Sequence, residues 1–322
     1  MTYLENFAPV HRHVIDEAFQ WSDLEPVVRR HAQSGKVVHI VDSLLVQNRR
    51  FIDELNNWKS TGPFILLVHY LSLLNPQLSP GKNSCFESEI LKFFSGFIVT
   101  SQFSKNRLQT FHKGTSPIAV IHPGLDEFYF TPLKERPKPY PTQLLTVSST
   151  LPEKGLIEFL TVLQKIDDLH WSWELIGEKN LDPTFTREFQ TALKRHRFRN
   201  RVQVVGPLSE EDVFQKYESS DLFILPSKFE SCGMVVMEAL ARGLPVVAFR
   251  VGGIAEICEG HPLGLLVDEG DFDRLATLLR KLLTEGILLS PQTPALGKSG
   301  IYKRPWKMAA KEFYDFINEL VK

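Results

Sequence analysis

Short apolar runs alternate with helix-like segments along most of the chain, and this alternation constrains the fold more than any other sequence feature. The runs predict buried strands, four in the first half and six in the second. Strands that alternate with helices favour a parallel sheet covered on both faces. The 322 residues suffice for two such units. The predicted strands are Val37–Val41, Phe64–Val68, Phe97–Val99, Ala119–Ile121, Leu144–Val147, Trp173–Ile176, Val202–Val205, Leu222–Leu225, Val246–Phe249 and Gly264–Val267.

One stretch, from Ser227 to Val247, combines a strand end, a loop, a helix and the start of the next strand. Helical spacing runs from Gly233 to Arg242. Gly243 suits the left-handed residue that closes a helix, and Pro245 prevents the helix from continuing. The stretch therefore predicts a short buried helix between two strands of the second half. A final amphipathic helix is predicted from Trp306 to Val321.

Two glutamates frame the predicted helix start. Glu230 lies in the loop before it, and Glu238 lies about two turns further along, at roughly 1.5 Å per residue. The backbone N–H groups near Gly233 and Met234 have no partner within the helix, so this point favours an anion. Two carboxylates on either side of an anion site suit a ligand with hydroxyls at both ends and phosphate between them. A nucleotide sugar is such a ligand.

Composition excludes some classes of function. The net charge of −1 argues against broad nucleic-acid binding, which usually needs a strongly basic surface. The three cysteines are odd in number and lack C-x-x-C spacing, which favours a reduced, cytoplasmic setting. No apolar run is long enough to predict a membrane span, and the first residues do not resemble a signal peptide.

The two glutamates, with seven residues between them, resemble the motif of retaining glycosyltransferases with the GT-B fold, and the chain is similar to glycosyltransferase family 4. Further segments resemble that family's phosphate-binding lysine loop, its strand-end glycines, its GG-x-x-E turn and the linker between its two halves. In chain order they are Ile121–Asp126, Leu151–Gly155, Leu175–Gly177, Val204–Gly206 and Val251–Glu256.

The resemblance implies an α/β protein of the GT-B class, with two Rossmann-like domains facing each other across a cleft. We expect an acceptor-side domain over residues 1–135 and a nucleotide-sugar-binding domain over residues 136–305. The last helix, residues 306–322, is expected to pack back toward the first domain. Lys134 to Pro141 fits a linker. Nothing before Val37 reads as the strand and glycine-rich loop with which relatives begin, so the first domain is expected to be shortened at its N-terminus.

The resemblance also assigns catalytic roles to three residues. Glu230 would contact the donor sugar, and Lys154 would hold the diphosphate and stabilise it as the leaving group. His69 follows a strand, where α/β sheets bind ligands, and would lie next to the reacting sugar. A histidine satisfied near the core is the alternative for His69. We expect the segment from Leu71 to Glu87 to form a long loop on the acceptor side.

The remaining predicted residues bind the donor. Glu238 would accept hydrogen bonds from the ribose hydroxyls, since carboxylates accept from paired hydroxyls. Gly233 and Met234 would offer N–H groups to phosphate, and the backbone near Val205 would contact the base. Ser149 stands where the family usually has arginine, so the diphosphate site lacks one cation. Another cation, such as Lys179 or Arg250, is a candidate to replace it.

Two sequences suggest other sites at first sight. Asp271-Phe272-Asp273 resembles the metal-binding D-x-D of another glycosyltransferase fold, but its position before a helix indicates capping. Val251-Gly252-Gly253 lacks the spacing of a dinucleotide-binding loop. We therefore expect no metal and no cofactor, with a nucleotide-diphosphate sugar as donor substrate.

The predicted reaction moves a sugar from that donor to an acceptor hydroxyl, retaining anomeric configuration. The acceptor, whether saccharide, lipid-linked or small molecule, and the oligomeric state are open, as is a peripheral membrane contact. Two alternatives remain from the sequence. One is a nucleotide-sugar epimerase on the same fold. The other is a degenerate, non-catalytic homologue that acts as a binding or partner subunit, which Ser149 and the short first domain favour.

Overall fold

The structure is a computed structural model that describes residues 4–6, 10, 37–47, 55, 59–75, 77, 82–131, 141–285 and 300–322. The chain divides into two compact units. Unit 1 comprises Met1–Gly124 and Trp306–Lys322, and unit 2 comprises Leu125–Pro305. The expected N-terminal shortening falls almost entirely outside the described residues, and so does the predicted linker after Lys134.

Unit 1 contains a four-stranded parallel sheet in the order β1-β2-β3-β4. Its β3 is buried along its whole length, because both sheet faces are covered. Ser101 caps the second helix by accepting a hydrogen bond from the N–H of Ser104 at 3.1 Å. The elements are β1 His39–Asp42, β2 Phe64–Val68, α1 Lys82–Ile90, β3 Gly96–Val99, α2 Gln102–Phe111 and β4 Ile118–Val120.

The loop predicted from Leu71 to Glu87 is wrong in its second part, because α1 begins at Lys82. Glu87 is buried, and its carboxylate accepts hydrogen bonds at 2.9 Å from the N–H groups of both Ser72 and Leu73. Those residues belong to a short 3-10 helix, Ser72–Leu74. The helix α1 is held by the bonds of its Glu87 carboxylate to a distant loop and lacks apolar periodicity. The sequence pattern therefore did not predict it.

Unit 2 contains a six-stranded parallel sheet in the order β10-β9-β8-β5-β6-β7. Its core includes the fully buried Trp171, Trp173 and Phe159. The strands are β5 Thr142–Val147, β6 Trp171–Ile176, β7 Val202–Val205, β8 Leu222–Leu225, β9 Val246–Phe249 and β10 Gly264–Val267. The helices are α3 Leu156–Lys165, α4 Pro183–Lys194, α5 Glu210–Ser219, α6 Met234–Ala241, α7 Ile254–Cys258 and α8 Phe272–Glu285.

A last helix, α9, spans Trp306–Leu320 and belongs to unit 1. Its buried Ala309 and Phe313 share a core cluster with Ile65, Ile98 and Ile121. Those three isoleucines come from β2, from β3 and from the residue after β4. The helix that comes last along the chain therefore completes the core of the unit whose strands come first.

All the predicted strands are present, with ends that differ by at most two residues. The left-handed conformation expected at Gly243 is confirmed, with φ at 65°. Capping by Asp271 is confirmed as well, because its carboxylate accepts a hydrogen bond from the N–H of Arg274 at 2.8 Å. Parallel strands buried on both faces read as continuous apolar runs, and this explains why the strand predictions hold.

Candidate functional site

The strand order of unit 2 places a topological switch point between β5 and β8. Read from the other edge, the order is β7-β6-β5-β8-β9-β10, so the chain first builds outward on one side of β5 and then on the other. In open α/β sheets, ligands bind beyond the carboxyl ends of the strands at such a point. The loops after β5 and β8 carry Lys154 and Glu230. The topology thus predicts a ligand-binding site at these two loops.

The two loops touch through their backbones. After β5, a 3-10 helix over Pro152–Lys154 ends at Gly155, whose φ of 65° is left-handed. A side chain at Gly155 would place its first carbon 2.1 Å from the carbonyl oxygen of Pro226, so only glycine fits. The N–H of Lys228 donates to the carbonyl of Glu153 at 2.7 Å. These contacts hold Lys154 against the loop that carries Glu230.

Lys154 and Glu230 form an ion pair. The Lys154 Nζ lies 2.6 Å from Oε1 of Glu230, and the side chains are only 18% and 15% exposed. The same carboxylate oxygen accepts a hydrogen bond from the Ser227 hydroxyl at 3.1 Å. Ser227 itself is fully buried. Two of the three predicted catalytic side chains therefore come together in unit 2, and both are largely buried.

The turn after β9 fixes the backbone of Glu230. Gly252 has φ at 50°, and a side chain there would place its first carbon 1.7 Å from the Glu230 carbonyl oxygen. That same oxygen accepts a hydrogen bond from the N–H of Gly253 at 3.1 Å. A first side-chain carbon at Gly253 would in turn lie 2.6 Å from the carbonyl oxygen of Cys232. The paired glycines are therefore needed for the close approach of two loops.

The start of α6 offers free donors beside this pair. Gly233 adopts a left-handed φ of 93° and precedes the helix. The N–H groups of Gly233, Met234 and Val235 donate to no group among the described residues, whereas the Val236 N–H already bonds to the Gly233 carbonyl at 2.9 Å. Unpaired N–H groups at a helix start favour an anion such as phosphate.

Glu238 does not join the pair of Lys154 and Glu230 but lies in a polar cluster of its own. Its Oε2 accepts a hydrogen bond from the Tyr217 hydroxyl at 2.7 Å. Burial raises the pKa of Glu238, and the carboxylate of Glu210 adds to that rise, while hydrogen bonds from Tyr217 and Tyr129 oppose it. The sequence reading missed both tyrosines, and no motif or spacing marked them.

The remaining donor-side residues lie at the carboxyl edge of the same sheet. Val205 ends β7 and pairs with Ile176, the last residue of β6. Ser149 follows β5 and is partly exposed. Of the two candidate replacement cations, Arg250 has its Nε 3.9 Å from Asp268, whereas the Lys179 ammonium makes no ion pair with any described residue. Lys179 is therefore the better candidate.

His69 lies in unit 1, whereas the other predicted site residues all lie in unit 2. The hydroxyl of Ser43 accepts hydrogen bonds from the N–H groups of His69 at 3.0 Å and Tyr70 at 3.1 Å. The imidazole is 49% exposed, and its Nε2 lies 3.6 Å from Asp42 Oδ2. Such exposure is unlike a satisfied core histidine. His39, by contrast, stacks on a ring of β2 and has its pKa lowered to about 4 by burial.

In the part of the chain that the structure describes, no cluster of three or more His, Cys, Asp or Glu side chains is arranged to hold a metal ion. Within the same part, no helix has the length and apolar character needed to cross a bilayer.

Solved structures with the same architecture identify the class of fold. Sucrose-phosphate synthase from Thermosynechococcus elongatus matches 96% of this chain and 80% of its own, with a TM-score of 0.75 and 20% identity. HepE from Anabaena, solved in complex with UDP and glucose, matches 93% of this chain and 81% of its own, with a TM-score of 0.64 and 20% identity. The fold is GT-B, as the motifs indicated.

Sequence comparison identifies the family of unit 2. Residues 141–285 match the family described as Glycosyl transferases group 1. A D-inositol 3-phosphate glycosyltransferase of Corynebacterium jeikeium is 27% identical over 283 residues, which are 82% of this chain and 67% of that protein. A glycogen synthase of Mycobacterium tuberculosis is 26% identical over 195 residues, or 59% of this chain and 46% of that protein. Unit 2 therefore carries a group 1 glycosyl transferase domain; membership of family 4 stays a prediction.

Proposed function

We propose that this protein is a retaining glycosyltransferase that moves a sugar from a nucleotide-diphosphate donor to an acceptor hydroxyl. The observation that carries the proposal is the Lys154–Glu230 pair at the switch point of unit 2, beside the unpaired N–H groups of α6. The chain spans about half to two thirds of the length of the two relatives described above, so the activity of those whole proteins is not assumed.

The proposal gives the leaving group positive charge from Lys154 and from the start of α6. When the bond from the sugar C1 to phosphate oxygen breaks and the acceptor oxygen bonds to C1, negative charge grows on the diphosphate. The Lys154 ammonium and the N–H groups of Met234 and Val235 would stabilise that charge, and the acceptor proton would pass to a phosphate oxygen. Donors fixed in advance of the reaction are effective because they need no reorganisation.

Glu230 and Glu238 would serve different parts of the donor. With Lys154 drawn to phosphate, Glu230 would be left to accept hydrogen bonds from sugar hydroxyls. Glu238, in its separate cluster with Tyr217, would accept from the ribose. The distinct partners of the two carboxylates support this division. Ser149 adds no charge, so Lys179 would supply the second cation.

Lys154→Ala tests the proposal. We expect donor-dependent release of nucleoside diphosphate to fall by about 100-fold or more, since one preorganised donor is worth that much. The assay presents the wild type and the variant with UDP-, GDP- and ADP-glucose, with and without glucose and an inositol as acceptors. Lys216→Ala is the matched control, because Lys216 lies on α5 and its Nζ is engaged by Glu174 Oε1 of β6, at 2.7 Å, away from Lys154 and Glu230. Its activity should be unchanged.

The alternatives give other results. Conversion of the donor to an epimer without acceptor would indicate an epimerase, and donor binding without turnover would indicate the non-catalytic homologue. Equal activity of the Lys154 variant and wild type would show that the diphosphate is bound elsewhere. Product anomers, resolved by proton NMR, test retention.

A further inference from the structure

Two buried tyrosines lie at the side chain of Glu238. Tyr217, only 1% exposed, donates to Oε2 at 2.7 Å. Tyr129, only 2% exposed, lies close enough for the negative charge of Glu238 to add to the rise of its pKa. The two rings meet edge to face, with centroids 6.4 Å apart. A partly exposed carboxylate is thus fixed from its buried side by groups from two other segments of unit 2.

The direction of these hydrogen bonds is fixed by chemistry. Burial, followed by the negative charge of Glu238, raises the pKa of both phenols, so both stay protonated at neutral pH. An ionised carboxylate only accepts hydrogen bonds, and a protonated phenol donates one. A carboxylate offers about four acceptor positions, so two phenols leave acceptor positions for a second pair of hydroxyls.

Arg242 fixes Tyr129 in turn. It lies one turn after Glu238, has no exposed side-chain surface, and donates from one guanidinium nitrogen to the carbonyl oxygens of Tyr129 at 3.0 Å and Thr131 at 2.8 Å. Its other terminal nitrogen bonds to Glu218 Oε1 on α5 at 2.6 Å. Three segments are thereby tied around one carboxylate, which is more than a solvated helix glutamate requires.

We propose that Tyr129 and Tyr217 are positioning residues that orient the Glu238 carboxylate toward the 2′- and 3′-hydroxyls of the donor ribose, and so select ribonucleotides over 2′-deoxyribonucleotides. The inference rests on the proposed function, because it takes Glu238 as the ribose ligand. A carboxylate free to rotate would accept from one hydroxyl nearly as well as from two. A carboxylate held by the Tyr217 phenol, whose ring packs against Tyr129, presents its remaining acceptor positions in one geometry.

Isothermal titration of the full chain tests this with UDP, ADP and GDP, each beside its 2′-deoxy counterpart. We expect the wild type to bind one ribonucleotide about 10-fold more tightly than its deoxy form, the value of one good hydrogen bond. Tyr217→Phe should bring that ratio close to one with little change for the deoxynucleotide. Tyr129→Phe should act in the same direction, which keeps the test open if the first variant does not fold.

Thr146→Val is the matched control. It removes a buried hydroxyl from the same unit, one that donates to the Ile224 carbonyl at 2.7 Å and accepts from Trp173 at 3.0 Å. It should lower the melting temperature and leave the ratio intact. A wild-type ratio in folded Tyr217→Phe and Tyr129→Phe would overturn the inference. Equal binding of ribo and deoxy forms by the wild type would also overturn the inference, yet leave the proposed sugar transfer standing. Binding of none of the six nucleotides would overturn both the inference and the proposed function.

Discussion

At the scale of single residues, Glu238 is expected to make stability depend on pH. Its pKa in the folded protein is raised, first by burial, so the folded state holds this proton at pH values where the unfolded chain has lost it. Stability contributed by that proton is present near the unfolded pKa and is lost as pH rises through the folded pKa. Glu210, whose pKa is raised by burial and by Asp126, acts with the same sign.

Glu238→Gln should therefore make the free energy of unfolding depend less steeply on pH. As pH rises from the ordinary glutamate range through the raised pKa of Glu238, the free energy of unfolding of the wild type should fall more steeply than that of the variant. Urea unfolding at several pH values, followed by tryptophan fluorescence, measures both slopes. Glu210 is present in both proteins, so the difference reports Glu238 together with its interaction with Glu210. Parallel slopes would mean that this carboxylate titrates like one in water.

The residues themselves were largely predictable, but their partners were not. Glu230 and Lys154 stand out in the sequence because the motifs around them have fixed spacing, and the structure brings them together. Tyr129 and Tyr217 lie 109 and 21 positions before Glu238 and reach it only through the fold. A hydroxyl that donates across such a distance leaves no periodicity and no motif, so single-sequence reasoning could not find it.

At the scale of loops and turns, the glycine pair after β9 sets the position of Glu230. Gly252→Ala should cost several kcal/mol, because the new carbon would lie 1.7 Å from the Glu230 carbonyl oxygen and the loop must move. Gly270→Ala is the matched control. Gly270 also has a left-handed φ, at 76°, but its new carbon would meet no atom within 4 Å. That variant should lose only about 1–2 kcal/mol.

Thermal unfolding with and without nucleoside diphosphate separates a loss of stability from a loss of ligand binding. Gly252→Ala should lose ligand stabilisation along with melting temperature, because Glu230 and the Cys232 segment shift together. Gly270→Ala should keep it. A Gly252 variant as stable as the Gly270 variant would show that the two loops are not held as closely as the backbone contact requires.

Elements were predicted better than loops for a physical reason. A buried parallel strand is a continuous apolar run, visible in any window of the sequence. The helix Lys82–Ile90 has no such signal, and the buried carboxylate of Glu87 that bonds Ser72 and Leu73 is a long-range contact. The strands therefore predicted the parallel α/β sheets, and within the described residues the Leu71–Glu87 loop was wrong because its helix is defined by tertiary structure.

At the scale of the whole molecule, α9 is expected to carry much of the stability of unit 1. Phe313→Ala should cost about 3 kcal/mol or more, because Phe313 is 8% exposed and packs among Ile65, Ile98 and Ile121. Met308→Ala, on the same helix but 51% exposed, should change stability by less than about 0.5 kcal/mol.

Hydrogen–deuterium exchange measures where the loss falls. In Phe313→Ala, amides of β2, β3 and β4 should exchange faster, while those of β5, β8 and β9 keep their wild-type rates. Because the chain has two units, a single melting temperature is not a sufficient readout. Equal acceleration in both units would indicate that they unfold as one.

The return of α9 to unit 1 also sets an order of events during synthesis. Unit 2, residues 125–305, is complete in sequence before the ribosome adds Trp306. Domains generally fold as units as they emerge. The nucleotide-binding half can therefore reach its native state while Ile65, Ile98 and Ile121 still wait, uncovered by Phe313, for the last helix of the chain. The isoleucines of β2 and β3 are thus translated long before the phenylalanine that covers them, so their apolar surface stays exposed for that interval.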